Sequence, residues 1–134
     1  MLPQNNDKKV DPRTREGRTA LAKMLMRLFD LWRLSSSYQL SLLGLSEKSR
    51  TSLARYRKGA PLDDSRDLLD RVSILFSIHR SLRILFPKNR DMVYDWLSTP
   101  NRAFDGHKPV EIMREKGFLG LLMVERYLNM EREA

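Results

Sequence analysis

The sequence predicts an all-α fold, and three observations carry that expectation. Apolar residues recur at spacings of three and four along most of the chain, no run alternates for long enough to propose a strand, and Gly or Pro stands at most points where the helical pattern lapses. With 134 residues and 41% hydrophobic content, the chain can bury a core as one compact domain or as two small helical ones sharing an interface. No internal repeat is visible.

Residues 1–13 are polar around Pro3 and Pro12 and read as a flexible arm. From Thr14 the pattern turns helical: Leu21, Met24, Leu25, Leu28 and Trp32 share one face, and this helix is expected to end near Leu34. Ser35, Ser36 and Ser37 offer hydroxyls to cap a short second helix carrying Tyr38, Leu42 and Leu43, which Gly44 ends by taking a positive φ. Ser46 can cap a third helix that runs to Gly59, before Pro61. A long helix follows, with Asp63 and Asp64 at its start as the helix dipole favours and Leu68, Val72, Leu75, Leu82 and Leu85 as its stripe. Pro87 stops it. A shorter helix carries Met92, Val93, Trp96 and Leu97. Pro109 suits the first turn of another through Met113, Gly117 breaks it, and Phe118 to Met130 forms the last.

Charge divides the chain as sharply as periodicity does. Residues 1–60 hold 13 Lys and Arg against 5 Asp and Glu, while residues 61–134 hold 12 of each, so the whole net charge of +8 lies in the first part. A basic segment attracts polyanions because each neutralised phosphate releases counterions, whereas a neutral, apolar-rich segment is better suited to protein. The split coincides with the Gly59 and Pro61 break. It predicts a helix-turn-helix DNA-binding domain over 14–62 and a second helical domain over 63–134.

A short helix, Gly44 in the turn and a second helix have the spacing of a helix-turn-helix, whose second helix enters the major groove by its N-terminal residues. With Leu53 and Tyr56 facing inward, Lys48, Thr51, Arg55 and Lys58 project roughly opposite. Lys48, Thr51 and Ser52 are the candidates for base edges, joined from the flank by Arg50. Arg55, Arg57 and Lys58 lie further along, where phosphate contacts that set register are expected. Arg13, Arg15, Arg18, Lys23, Arg27 and Arg33 contribute as much charge again, so the arm and first helix are expected to touch phosphates.

Other chemistries find little support. No stretch approaches the roughly 20 apolar residues of a membrane span, and the N-terminus lacks the apolar core of a signal peptide, so a cytoplasmic protein without membrane contact is expected. With no cysteine and two histidines, a closed zinc site would need several carboxylates. His79 falls at the edge of a core stripe and His107 in a loop. Asp63, Asp64, Asp67 and Asp70 read as helix-start acids and exposed neighbours rather than as a metal site. No catalytic residue, metal site or cofactor is expected, since no nucleophile and base pair locally and no Gly-rich phosphate loop occurs.

The second half carries a resemblance. The stretch Leu62-Asp63-Asp64-Ser65-Arg66-Asp67-Leu68-Leu69, followed by a long apolar helix and then Trp96-Leu97, Pro100-Asn101, Phe104-Asp105-Gly106, Pro109 and Gly117, resembles the antitoxins of the Xre-MbcA-ParS family. The resemblance spans about residues 18–130 and is strongest over Asp95 to Pro109. Phe104-Asp105-Gly106 stands where family members commonly show a Leu-Gly-Gly-like segment. The resemblance implies an Xre-like helix-turn-helix followed by a C-terminal domain that dimerises and covers the active site of a RES-domain, NAD-consuming toxin.

The last helix adds its own signal. Phe118, Leu119, Leu121, Leu122, Met123, Val124, Tyr127 and Leu128 point in nearly every direction, and a helix apolar all round must be buried on more than one side. A second copy, a partner protein or the helices of the chain itself could cover it. Glu125, Arg126, Asn129 and Met130 near its end, with Arg102 in the preceding loop, are the candidate toxin-binding residues. The expected partners are a cognate RES-domain toxin, operator DNA and a second copy. Two alternatives stand beside this reading: a repressor whose C-terminal half only dimerises, and a basic half that docks on an acidic protein without binding DNA.

Overall fold

The fold comes from a computed structural model that describes residues 10–134. Among these residues the chain forms six α-helices, joined by 3-10 turns and loops, with no strand. They are α1 (Arg15–Leu31), α2 (Ser36–Leu42), α3 (Arg50–Arg57), α4 (Arg66–Leu85), α5 (Arg90–Asp95) and α6 (Pro109–Glu133). No helix among the described residues is long and apolar enough to cross a membrane. Of the arm expected over 1–13, residues 1–9 lie outside the described residues. Residues 11–14 form a turn instead, in which the Thr14 amide donates to the Asp11 carbonyl at 3.1 Å and the Asp11 carboxylate pairs with Arg13.

The helix starts follow local chemistry. Thr14, Ser35, Ser65 and Asn89 each accept a backbone N–H of the first turn of α1, α2, α4 and α5, which satisfies one of the donors a helix start leaves orphaned. Ser65 therefore opens the long helix at Arg66, and Asp63 and Asp64 precede it rather than lying in its first turn. At the third helix the expectation fails further. Ser46 makes no side-chain cap bond, a 3-10 turn occupies Glu47–Ser49, and α-helical bonding begins only at Arg50. Without a hydroxyl cap, the tighter turn satisfies the first donors instead.

Helix ends are equally local. α1 stops at Leu31, short of Leu34, because Arg33 takes a φ of 56°. Gly44 takes a φ of 72° at the end of α2, and Gly117, at φ 60° and ψ −137°, divides α6 into two helical segments as the sequence suggests.

One continuous core joins these helices. It runs from Ala22, Leu25 and Phe29 of α1 through Leu40 and Leu42 of α2, Leu53 and Tyr56 of α3, and Leu75, Ile78 and Leu82 of α4, to Leu121, Val124 and Leu128 of α6. The most extensive packing sets α4 along α6; α1 packs on α3, α2 on α6, and α5 on α4. Removing a buried leucine such as Leu25 or Leu82 leaves a cavity and costs about 3 kcal/mol. Met24 departs from the expected stripe and is 37% exposed. At about 100° per residue it lies some 60° off Leu21, beyond the face that Leu21, Leu25 and Leu28 share.

The central helix α4 serves both ends of the chain. The Arg71 guanidinium donates to the Leu42 carbonyl at 3.5 Å and to Asp67 at 3.0 Å, and lies 5.6 Å from the centre of the Phe118 ring. It also fills the space beside Gly44, where an added Cβ would come within 2.7 Å of the guanidinium. Ser81, fully buried ten residues on, donates to the Asn129 side-chain oxygen at 3.3 Å and accepts from Arg132 at 3.2 Å. From the other side, α2 meets the first segment of α6: the Tyr38 hydroxyl donates to Glu111, and Arg114 lies 4.6 Å over the Tyr38 ring. The helix-turn-helix thus rests on the last two long helices.

Candidate DNA and partner surfaces

The first surface is built on the 3-10 turn and α3. Leu53 and Tyr56 are buried, and this anchors α3 so that Lys48, Arg50, Thr51, Arg55, Arg57 and Lys58 are all exposed, with Ser52 half-buried. The seven candidates therefore lie on one short element, but they differ in how free their charge is. Arg57 donates twice to the Asp30 carboxylate of α1, at 2.8 and 3.1 Å, and that bidentate pair raises its pKa. Arg50 pairs with Glu47, whose carboxyl it holds below its usual value. Arg55 donates to Ser52 at 3.1 Å, lies 3.8 Å from Asp63, and sits 5.6 Å from the centre of the Tyr56 ring. Lys48 and Lys58 form no ion pair among the described residues, and Thr51 makes no side-chain hydrogen bond there.

The wider basic half is partly neutralised in the same way. Arg18 donates to the Leu62 and Pro12 carbonyls, each at 3.1 Å, with Asp64 at 3.9 Å, so it ties α1 to the segment before α4. Arg13 pairs with Asp11, and Arg33 with Asp95. Each of the acids Asp63, Asp64, Asp67 and Asp70 faces an arginine: Arg55, Arg18, Arg71 and Arg66 in turn. No group of His, Asp and Glu among the described residues could hold a metal ion.

The second surface lies on α6. Its inner face buries Leu121, Val124 and Leu128, while Leu119 is 60% and Met130 70% exposed. At about 100° per residue, Leu119, Met123, Arg126 and Met130 share one outward stripe. The five expected partner residues divide on this geometry. Arg126 and Met130 lie on the stripe, and Arg102 is exposed in the 3-10 turn before α6. Asn129 is half-buried and engaged with Ser81, and Glu125 is half-buried beside Arg80, Phe76 and Leu69 of α4. Leu119, exposed, and Met123, half-buried, complete the stripe.

The histidines and loop aromatics hold the frame. His79 is half-buried, 3.1 Å from the Tyr94 hydroxyl, with its ring edge-on to Trp32. His107 sits 3.0 Å from the Phe104 carbonyl in the loop before Pro109. That loop folds over Tyr127, whose ring stacks on Trp96 and meets Phe104 edge-on. Asp105 and Gly106 both take positive φ, 55° and 82°.

Comparison with known proteins finds a helix-turn-helix domain followed by a toxin-binding domain. The profile described as "Antitoxin Xre-like helix-turn-helix domain" matches residues 11–75, and "Antitoxin Xre/MbcA/ParS C-terminal toxin-binding domain" matches residues 81–133. One match ends and the next begins within α4. The chain is also 34% identical over 106 residues to "Uncharacterized protein y4oB" of Sinorhizobium fredii (strain NBRC 101917 / NGR234), which covers 79% of each chain. With an Xre-like helix-turn-helix followed by a toxin-binding domain on an all-α frame, the chain belongs to the Xre/MbcA/ParS family of antitoxins.

Proposed function

We propose that this antitoxin neutralises a RES-domain, NAD-consuming toxin by occluding its active site, and that as a homodimer in the cytoplasm it binds its own operator to regulate its synthesis. The observation that carries the first part is the outward stripe of α6, where Leu119 and Met130 are 60% and 70% exposed inside the matched toxin-binding region. Fully burying each such side chain contributes about 2 kcal/mol, so two or three suffice to anchor an interface. Occupation alone inhibits, so no bond is made or broken and no cofactor is needed.

The DNA part rests on α3. Lys48, Thr51 and Ser52 reach base edges, joined from the flank by Arg50, while Arg55, Arg57 and Lys58 hold phosphates. Two copies read half-sites about 34 Å apart, as helix-turn-helix dimers do. The test is NAD turnover by the RES-domain protein encoded beside this chain, measured with and without the antitoxin. Suppressed turnover that returns with Leu119→Glu/Met130→Glu is the expected result. A neighbour that is not RES-like, or whose turnover is unaffected by the chain, overturns the reading. The same stripe also suits a repressor that only dimerises, and loss of the dimer with no toxin bound would favour that.

A further inference from the structure

A groove between α1, α4 and α5 combines features found in neither surface above. It encloses about 310 Å³ and is lined by Arg27 of α1, Arg80 and Arg83 of α4, and Arg90 of α5, with no carboxylate in its lining. None of the four arginines forms an ion pair among the described residues, whereas Asp30, one turn along from Arg27, is held by Arg57. Met24, Phe76 and Tyr94 line it as well, with the Arg90 guanidinium 5.0 Å over the centre of the Tyr94 ring. Three of these arginines belong to the half of the sequence with no net charge. The fold gathers them beside Arg27 while the acids of α4 cluster at its other end.

Four like charges gathered without an ion pair are unfavourable unless something anionic joins them. A duplex is far wider than this groove, and a phosphodiester gains nothing from Met24 and Phe76. A carboxylate-bearing peptide with an apolar side chain satisfies both halves of the lining, since arginine pairs bidentately with carboxylates. Arg83, Arg90 and Tyr94 fall inside the toxin-binding match, and Met24 and Arg27 inside the helix-turn-helix match. Ile84, 49% exposed, stands on α4 between Arg80 and the Ser81 that meets α6, and so extends apolar surface toward the second surface.

Building on the antitoxin reading, we propose that this groove receives an acidic segment of the toxin, with carboxylates flanking an apolar side chain. The toxin interface then crosses from the C-terminal domain onto α1, over the back of the DNA-binding unit.

The test uses the full chain and its purified cognate toxin, with binding measured at two salt concentrations, and a nonspecific DNA duplex measured in parallel. Arg27→Glu/Arg83→Glu should weaken the toxin by about tenfold or more and flatten its salt dependence, because charge pairs at an interface set both. Met24→Ala should weaken it by about threefold without changing the salt dependence, since only apolar contact is lost. Both variants should melt close to the wild type. Toxin affinity within twofold of wild type in the charge-reversal variant overturns the proposal, as does a loss confined to the duplex, which would make the groove a phosphate site. A wild-type chain that binds no toxin overturns the antitoxin reading itself and the groove's role with it.

Discussion

The outward faces of α3 and α6 are built from opposite chemistry on similar supports. Each helix buries a narrow apolar edge, Leu53 and Tyr56 in one and Leu121, Val124 and Leu128 in the other. Outside, α3 shows cations and hydroxyls, many already engaged with acids of the same chain, while α6 shows Leu119, Met123 and Met130 in line with Arg126. A cationic face keeps its water until phosphates displace counterions, so its binding is salt-dependent and reversible. An apolar face gains by losing water, so its binding is steep in buried area and nearly indifferent to salt. One small frame therefore presents two surfaces of opposite chemistry.

The largest test of this contrast is Leu119→Glu/Met130→Glu. Charges placed on the stripe should weaken toxin binding by about 100-fold or more while operator affinity stays within twofold, read by titration against each partner. Gly44→Ala should blur the contrast instead. A Cβ there meets the Arg71 guanidinium at 2.7 Å and must take a positive φ, so about 2 kcal/mol of stability should be lost, seen as a lower denaturation midpoint. Both partners should then bind less, because Arg71 joins the turn to α4 and Phe118. Lys48→Ala/Lys58→Ala touches only the cationic face: DNA affinity should fall and the slope of log affinity against log salt should drop by about 1, the share of the phosphate contact at Lys58, with toxin binding unchanged.

Alkali probes the contact between the two units. The Tyr38 hydroxyl donates to Glu111 and is partly buried, and both raise its pKa above the ordinary 10.0, with Arg114 opposing. A raised folded-state value means the stabilisation is complete below pH 10 and is lost as pH climbs through that higher value. Wild-type stability should therefore fall more than that of Tyr38→Phe between about pH 9 and about pH 11, in urea titrations of the two proteins. The smallest effect is expected at Asp105→Gly. Relief of a φ of 55° is offset by glycine's greater entropy when unfolded, so the melting temperature should rise by a few degrees at most.

What could be read from the sequence was what depends on near neighbours. A serine cap for α2 from the Ser35 to Ser37 cluster, Gly44 and Gly117 as breaks, and the inward pair Leu53 and Tyr56 all follow from spacing and side-chain type within one or two turns. The 3-10 entry to α3 was hidden because a serine at position 46 looks like a cap, and only the backbone geometry decides whether its hydroxyl engages. Contacts across the fold were hidden for a different reason. Arg57 meets Asp30 across 27 residues, a pairing that a charge count cannot show. The neutral sum over 61–134 likewise conceals Arg80, Arg83 and Arg90, because the balancing acids lie elsewhere on the surface. Spacing puts Met24 on the apolar face of α1, yet it lines the groove.

Side-chain oxidation footprinting of the chain, alone and with each partner, tests the central claim most directly. Methionine is among the most readily oxidised side chains, and Met130 is 70% exposed on the α6 stripe. Saturating toxin should suppress oxidation of Met130 and Met123, while operator DNA should leave both unchanged and slow lysine acetylation at Lys48 and Lys58 in the companion labelling. Protection of Lys48 and Lys58 by the toxin, with Met130 still oxidised at the free rate, would contradict the division of partners between α3 and α6.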